Sequence, residues 1–261
     1  MIMPINNKSV LLTIAEIRFN SVLNIPEYLP AIQDSFRMAH YPDFSHIRNQ
    51  GFQLAQSGPN KSLMPTTMDI YQFSNYNKSS HFRLNSQCLT YQSSNYKDFE
   101  TFLTLFLEGL FIVNKILNIQ LTERVGLRFI DRLMIKKGES IQKYLAPQES
   151  SLFEKLGGNS TYTFSEVKHQ IKDIHLFNRV KVFQNSPLDF PNDIEPGDMV
   201  FKEKFVTYKG PSAIIDTDAF IQKRSKLTLQ AMKANFYELH DLIIVAFEAS
   251  VSDIAKKVSR S

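Results

Sequence analysis

Three arginines recur along one face of a predicted strand. Side chains alternate across a strand in the segment 121–135, so Arg124, Arg128 and Arg132 point to one side of the sheet. The opposite side is apolar and carries Val125, Leu127, Phe129 and Leu133. A guanidinium group can hold a carboxylate or a phosphate through two parallel hydrogen bonds. The row is thus a candidate anion-binding site or a set of cations paired internally with acids. We favour internal pairing, because buried arginines are normally paired.

Two aspartates form a second candidate constellation. Asp216 and Asp218 lie two apart in the predicted strand 212–221 and therefore share a face. Paired carboxylates of this kind could hold Mg²⁺ or Mn²⁺ in a metal-dependent hydrolase. We expect them instead to pair with the arginine row, because an unpaired buried guanidinium is unfavourable by several kcal/mol.

The remaining reactive side chains do not form a recognisable catalytic pattern. His240 lies beside the apolar stripe of a long predicted helix, which is typical of a core or interface residue, although it stays a candidate site residue. The six histidines lack the spacing of a zinc site, and Cys88 is the only cysteine. The sequence contains neither a Gly-x-Ser-x-Gly elbow nor a glycine-rich phosphate loop. We therefore predict no catalytic residue, no cofactor and no bound metal.

Composition indicates an ordered, cytoplasmic protein. The chain has 261 residues, of which 43% are hydrophobic, and a formal net charge of +4 that is not gathered into a basic tail. This charge is only weak support for nucleic-acid binding. The apolar run near the start is interrupted by Glu16 and predicts a strand, so we expect no membrane segment. The single cysteine agrees with a reducing compartment.

Periodicity predicts an α+β fold made of two similar units, each a mainly antiparallel sheet packed by a long helix. The units are residues 1–138 and 139–261, with linker helices at about 139–158. Long helices are predicted at 96–118 and 226–249, a shorter one at 26–39, and exposed loops at 56–66 and 185–197. Strands are predicted at 8–20, 51–55, 68–74, 81–91, 121–135, 165–176, 179–184, 199–208 and 212–221.

Three segments carry a resemblance to a known family. They are Glu123–Asp131, Ala213–Ala219 and Leu239–Asp253. In their order and spacing they resemble a sporadically distributed family of uncharacterised bacterial and archaeal proteins of similar length, marked by an Arg-x-Gly-Leu-Arg-[Tyr/Phe]-Ile motif. This chain has Phe129 and Asp131 where tyrosine and asparagine are common in the family. The resemblance implies a fold but no reaction, and the sporadic occurrence suggests mobile or defence-linked operons.

The absence of catalytic signatures and the abundance of apolar helix surface favour a non-catalytic cytosolic binding or assembly protein. Its predicted ligand is a protein partner or a second copy of itself. One alternative is an RNA- or nucleotide-binding module that uses Arg124, Arg128 and Arg132 for phosphates and nearby aromatic rings for base stacking. The other alternative is the metal-dependent hydrolase at Asp216 and Asp218.

Overall fold

The strands of both halves join in one antiparallel sheet. The computed structural model describes residues 9–57, 60–136, 138–147, 162–183, 188 and 190–260. Along the sheet the strand order is β2-β3-β4-β5-β1-β6-β9-β8-β7, with β10 also paired to β6. The strands are β1 (Val10–Phe19), β2 (Asp43–Ser57), β3 (Asn60–Ser74), β4 (Ser80–Leu84), β5 (Cys88–Ser93), β6 (Leu121–Met134), β7 (Tyr162–Ile171), β8 (Ile174–Phe183), β9 (Ser212–Ile221) and β10 (Ser225–Lys226).

The α+β class is confirmed, but the sheet differs from the prediction. We expected a separate sheet in each half, whereas the antiparallel pairing of β1 with β6 makes one continuous sheet. The reason is that both strands are central and largely buried, so each needs a hydrogen-bonded neighbour on both sides. The division at residue 138 stays a prediction.

The helices are α1 (Ile25–Met38), α2 (Phe99–Leu117), the 3₁₀ turn Ile141–Lys143, the short α3 (Glu203–Val206), α4 (Leu229–Ser250) and α5 (Asp253–Arg260). All of these except α3 lie on one face of the sheet. The predicted apolar stripe of α2 is buried, with Phe106 and Val113 fully inaccessible. Asp98 caps α2 by accepting a 2.7 Å hydrogen bond from the Thr101 amide, and Asn118 ends it in the left-handed conformation. None of the described helices is both long and apolar enough to span a lipid bilayer.

Several predicted boundaries are corrected by the structure. In the segment 56–66, which we predicted as an exposed loop, residues 56–57 and 60–66 are strand, because β2 and β3 pair continuously from Asp43 and Ser74 to Ser57 and Asn60. Among the described strands only β2 pairs with β3 at Pro65, and proline is tolerated at such an edge position. The segment 81–91 is two strands, β4 and β5, and not one. Of the linker helices predicted at about 139–158, the described residues contain the 3₁₀ turn Ile141–Lys143, and the rest of that prediction lies outside the described residues.

The other face of the sheet is called here the helix-free face, because none of the described long helices packs on it. It is crossed by a strap formed by residues 190–208, which includes the short α3. We predicted a strand at 199–208, and that prediction is wrong: the segment contains only the short helix α3. Its apolar residues Ile194, Met199 and Phe205 pack onto the sheet instead of pairing with a strand edge. Asp198 also ties the strap to the first half, through Lys78 at 2.6 Å. The strap therefore leaves only part of the helix-free face open.

Candidate functional site

The arginine row lies on the helix-free face. Val125, Leu127 and Phe129 of β6 point into the core beneath the helices, so the strand alternation predicted from the sequence is correct. Arg124, Arg128 and Arg132 point the other way, where the cleft and the strap meet the sheet. A rigid central strand thus fixes the spacing of all three guanidinium groups.

Arg128 is held between two carboxylates. Its Nε and Nη2 donate to the two oxygens of Asp216 on β9 at 2.6 and 2.7 Å, and Asp216 is only 2% exposed. Its Nη1 and Nη2 also donate to Asp193 of the strap at 2.7 and 3.0 Å. Burial alone would lower the pKa of Arg128, but the bonds to the two acids outweigh burial and raise it. The pairing of Arg128 with Asp216 that we expected is present.

The other two arginines also bind groups of the chain itself. Arg124 donates to Glu16 on β1, lies 3.7 Å from a carboxylate oxygen of Asp218, and stacks 4.1 Å above the Phe220 ring. Arg132 donates to the backbone carbonyl groups of Phe205 and Tyr208, so its charge holds the strap against the sheet. The row is therefore engaged internally at each of its three positions.

Asp216 and Asp218 are both taken up by this ion-pair network. Asp216 accepts a third bond, at 3.1 Å, from Arg179 of β8, which leaves its oxygens surrounded by guanidinium groups. Burial raises the pKa of Asp218, while Arg124 and Arg128 oppose that rise. The residues that the structure describes hold no group of three or more His, Cys, Asp or Glu side chains arranged to bind a metal. The geometry thus gives the aspartates a pairing role.

His240 is not part of the network. It lies on α4, on the opposite side of the sheet, and its ring stacks on Phe99 with the two centroids 3.8 Å apart and the planes inclined by 5°. Burial lowers the pKa of His240 to about 4, so the ring is neutral near pH 7. Stacking against a core phenylalanine agrees with the core role expected from the sequence.

A cleft opens beside the network on the same face. Its volume is about 1130 Å³, and its floor includes Glu16, Arg18 and Arg124 of the two central strands. Arg83 of β4 reaches it from the side and donates to the Gln72 side chain and to the Glu195 carbonyl group, both at 2.8 Å. Burial lowers the pKa of Arg83, and the carboxylates of Glu195 and Asp198 oppose that effect only in part.

Polar residues of β5 also line the cleft. In the described part of the chain the buried Thr90 Oγ1 has no hydrogen-bond partner, whereas the Gln92 side chain interacts with His81. Both Thr90 and Gln92 belong to β5 and line the cleft. The cleft is therefore lined by polar side chains as well as by arginines.

Charge balance decides what the open face can attract. Four arginines (Arg18, Arg124, Arg128 and Arg179) and Lys168 pair within the network with five carboxylates (Glu16, Glu166, Asp193, Asp216 and Asp218). A surface that binds a polyanion carries an excess of cations on one face. The charges of these ion-paired groups balance, so the network differs from a phosphate-backbone site.

Sequence reasoning missed these members of the site: Glu16, Arg18, Glu166, Arg179 and Asp193. Glu16 and Arg18 share a face of β1 by alternation. Arg179 lies directly opposite Asp216 on one side and Glu166 on the other, so period-two patterning was a usable signal for these four. Asp193 belongs to a proline-containing irregular segment and reaches Arg128 only through the path of the strap. No periodic signal marks such a residue.

No model of a known protein family matches this sequence, and no curated protein matches it. Function must therefore be inferred from the geometry of the site.

Proposed function

We propose that this chain is a non-catalytic binding protein whose ligand-binding surface is the cleft on the helix-free face, and that the ligand is a segment of a partner protein. The observation that carries the proposal is the cleft of about 1130 Å³, lined by an already paired charged floor and an apolar mouth. Ion pairs that are formed before binding keep the floor rigid, which lowers the entropy lost on association.

The mouth of the cleft has the composition of a protein interface. Leu23 is 86% exposed and Met68 is 52% exposed, and both line the opening. Arg83 and Gln92 also line the cleft and add polar side chains to it. Methionine, aromatic residues and arginine are enriched in protein interfaces, where apolar contacts supply affinity and polar groups fix the register. An extended peptide segment can satisfy both, because its backbone both donates and accepts hydrogen bonds.

The two rival functions receive less support. An RNA-binding module would need Arg124, Arg128 and Arg132 to contact phosphates, and each of them already binds a group of the chain. A metal-dependent hydrolase would need open oxygens on Asp216, which Arg128 and Arg179 occupy. The measurements described below distinguish both rival functions from the proposed one.

The test compares the purified protein with variants at the mouth of the cleft. The double variant Leu23→Asp and Met68→Asp should weaken binding to a captured protein partner, measured by calorimetry with that purified partner, by roughly tenfold or more. Leu229→Asp is the matched control, because Leu229 is 60% exposed but begins α4 on the other side of the sheet. Equal binding by the cleft variant and wild type would place the interface elsewhere.

Two further measurements separate the rivals from this proposal. Binding of polyuridylic acid that weakens steeply with salt and is lost in Arg124→Ala would support the RNA-binding module. Mg²⁺-dependent hydrolysis that is lost in Asp218→Asn would support the hydrolase. We expect neither, because the charged groups concerned are paired within the protein.

We further propose that the chain consists of two similar units, and the order of elements supports this. Each half contains a central strand, an antiparallel meander and a long helix in that order, with α1 added after β1 in the first half and β10 added after β9 in the second. In each half a meander strand returns to pair with the first strand: β5 with β1, and β9 with β6. That order favours a second unit beginning at β6, before the boundary at residue 138. We also propose that the chain belongs to the family named above, that its gene lies in a mobile or defence-linked operon, and that the protein is cytoplasmic.

A further inference from the structure

Strand β7 forms an edge of the sheet and carries exposed apolar residues on both of its faces. Among the described strands it pairs with β8 alone. Tyr162 and Phe164 are 53% and 52% exposed on one face, and Val167 and Ile171 are each 40% exposed on the other. An edge strand of ten residues with exposed apolar side chains is a template for pairing with another strand. Among the residues that the structure describes, no strand or helix pairs with or covers the outer side of β7.

The sequence of β7 can pair with itself in one favourable register. Two identical antiparallel strands in one sheet are related by a two-fold axis perpendicular to the sheet, so directly opposed residues lie on the same face. The axis must then pass through a residue position. If it passes at Val167, each Glu166 lies opposite Lys168 of the second copy, and Val167 meets Val167.

Neighbouring registers lose this match. An axis at Glu166 would oppose two glutamates, and an axis at Lys168 would oppose two lysines. Oppositely charged cross-strand pairs are stabilising, whereas like charges directly opposite are destabilising. With the axis at Val167 the outer pairs are also compatible, since Phe164 faces Gln170 and Thr163 faces Ile171 of the second copy.

We propose that two copies of this chain associate through antiparallel pairing of β7 about Val167, which joins their sheets into one. Within one chain, Glu166 already accepts hydrogen bonds from Arg179 at 2.7 Å, and Lys168 lies 3.1 Å from Glu166. Pairing extends this row of alternating charges across the axis. The interface is distinct from the cleft, so it can fail or succeed independently of the proposed ligand-binding function.

A charge-swap mixture tests the register. Sedimentation equilibrium of the full chain should give a dimer, and either Glu166→Lys or Lys168→Glu should raise its dissociation constant by roughly tenfold or more, because both symmetric pairs become repulsive. An equimolar mixture of the two variants should dimerise again, because every cross-strand pair then joins a lysine to a glutamate. Melting curves of each variant alone serve as the folding control. A mixture that stays monomeric would overturn the register.

A cysteine crosslink gives an independent measurement in a Cys88→Ala background, which removes the only native cysteine. Val167→Cys should form a disulfide-linked dimer under mild oxidation, because directly opposed Cα atoms lie about 4.5–5.5 Å apart, within the range of a disulfide. Ser165→Cys is the matched control: two such residues would lie about 13 Å apart and should not crosslink. A wild-type monomer without a Val167→Cys crosslink would refute the proposal, as would a dimer that neither charge change weakens.

Discussion

Replacing Arg128 with alanine removes the charge at the centre of the ion-pair network. The substitution leaves Asp216 in place with a side chain only 3% exposed, so its carboxylate cannot be fully hydrated. It also releases Asp193, whose side chain is 64% exposed and returns to water easily. The destabilisation therefore comes almost entirely from Asp216.

The expected magnitude follows from burial and from the partners that remain. Removing one member of a buried ion pair costs about 3–5 kcal/mol. Arg179 still donates to Asp216 at 3.1 Å, so the lower end of that range, about 3 kcal/mol, is expected. In a chain of this length 1 kcal/mol corresponds to about 2–4 °C in melting temperature, which gives a decrease of about 6–12 °C.

Thermal melting followed by circular dichroism measures this effect, and two variants serve as controls. Asp193→Ala removes the exposed partner and should change stability by less than about 1 kcal/mol. The double variant Arg128→Met and Asp216→Leu removes the buried pair as a whole and should recover most of the loss, since apolar replacements of buried pairs are often neutral. An unchanged melting temperature in Arg128→Ala would refute the assignment of a structural role to this pair.

Three further predictions concern buried groups on the helix side of the sheet. Burial raises the pKa of Asp131 to about 7, so the fold loses stability as the pH rises from about 4 to 7. Asp131→Asn should therefore increase the free energy of unfolding at pH 8 by up to about 4 kcal/mol, measured by urea unfolding. Burial lowers the pKa of His240 to about 4, so the fold loses stability as the pH falls from about 6.5 to 4; His240→Phe should remove that loss of up to about 3 kcal/mol. Gly109→Ala should destabilise by about 1–3 kcal/mol in the same assay, because its new Cβ would lie 2.2 Å from the Phe82 ring.

Each of these has a control or a contrary outcome. Asp34→Asn, which neutralises an exposed carboxylate, is the control for the change of net charge in Asp131→Asn. A His240→Phe variant with the wild-type acid profile would mean that another group titrates. Combining Gly109→Ala with Phe82→Leu should recover part of the loss, and a Gly109→Ala chain more stable than wild type would show that the ring moves aside without penalty.

Much of the fold was accessible from periodicity. The alternation of β6 placed Phe129 in the core and Arg128 on the opposite face, because side-chain direction in a strand depends only on residue parity. The apolar stripe of α2 was predictable because apolar residues at three- and four-residue spacing share one face of a helix. The observed helix, Phe99–Leu117, lies within the predicted one. The pairing of Arg128 with Asp216 could be anticipated from electrostatics, since a buried guanidinium needs an acid.

Other features depended on contacts between distant residues. The hairpin of β2 and β3 runs through a stretch of proline and polar residues that predicts a loop, and only the neighbouring strand supplies the hydrogen bonds that keep it extended. The strap includes apolar residues that resemble a strand in sequence, yet Met199 and Phe205 pack down onto the sheet. Local pattern cannot distinguish burial under a strap from burial in a strand.

The sequence by itself determined the α+β class, the faces of the central strands and the need of the arginines for acidic partners, because these follow from residue type and from periods of two and 3.6 residues. Tertiary structure alone decided that β1 and β6 join the halves into one sheet, that Asp193 reaches Arg128 through the strap, and that a cleft lies beside them. The physical reason is that each of these depends on long-range register and chain path, which no local sequence signal specifies.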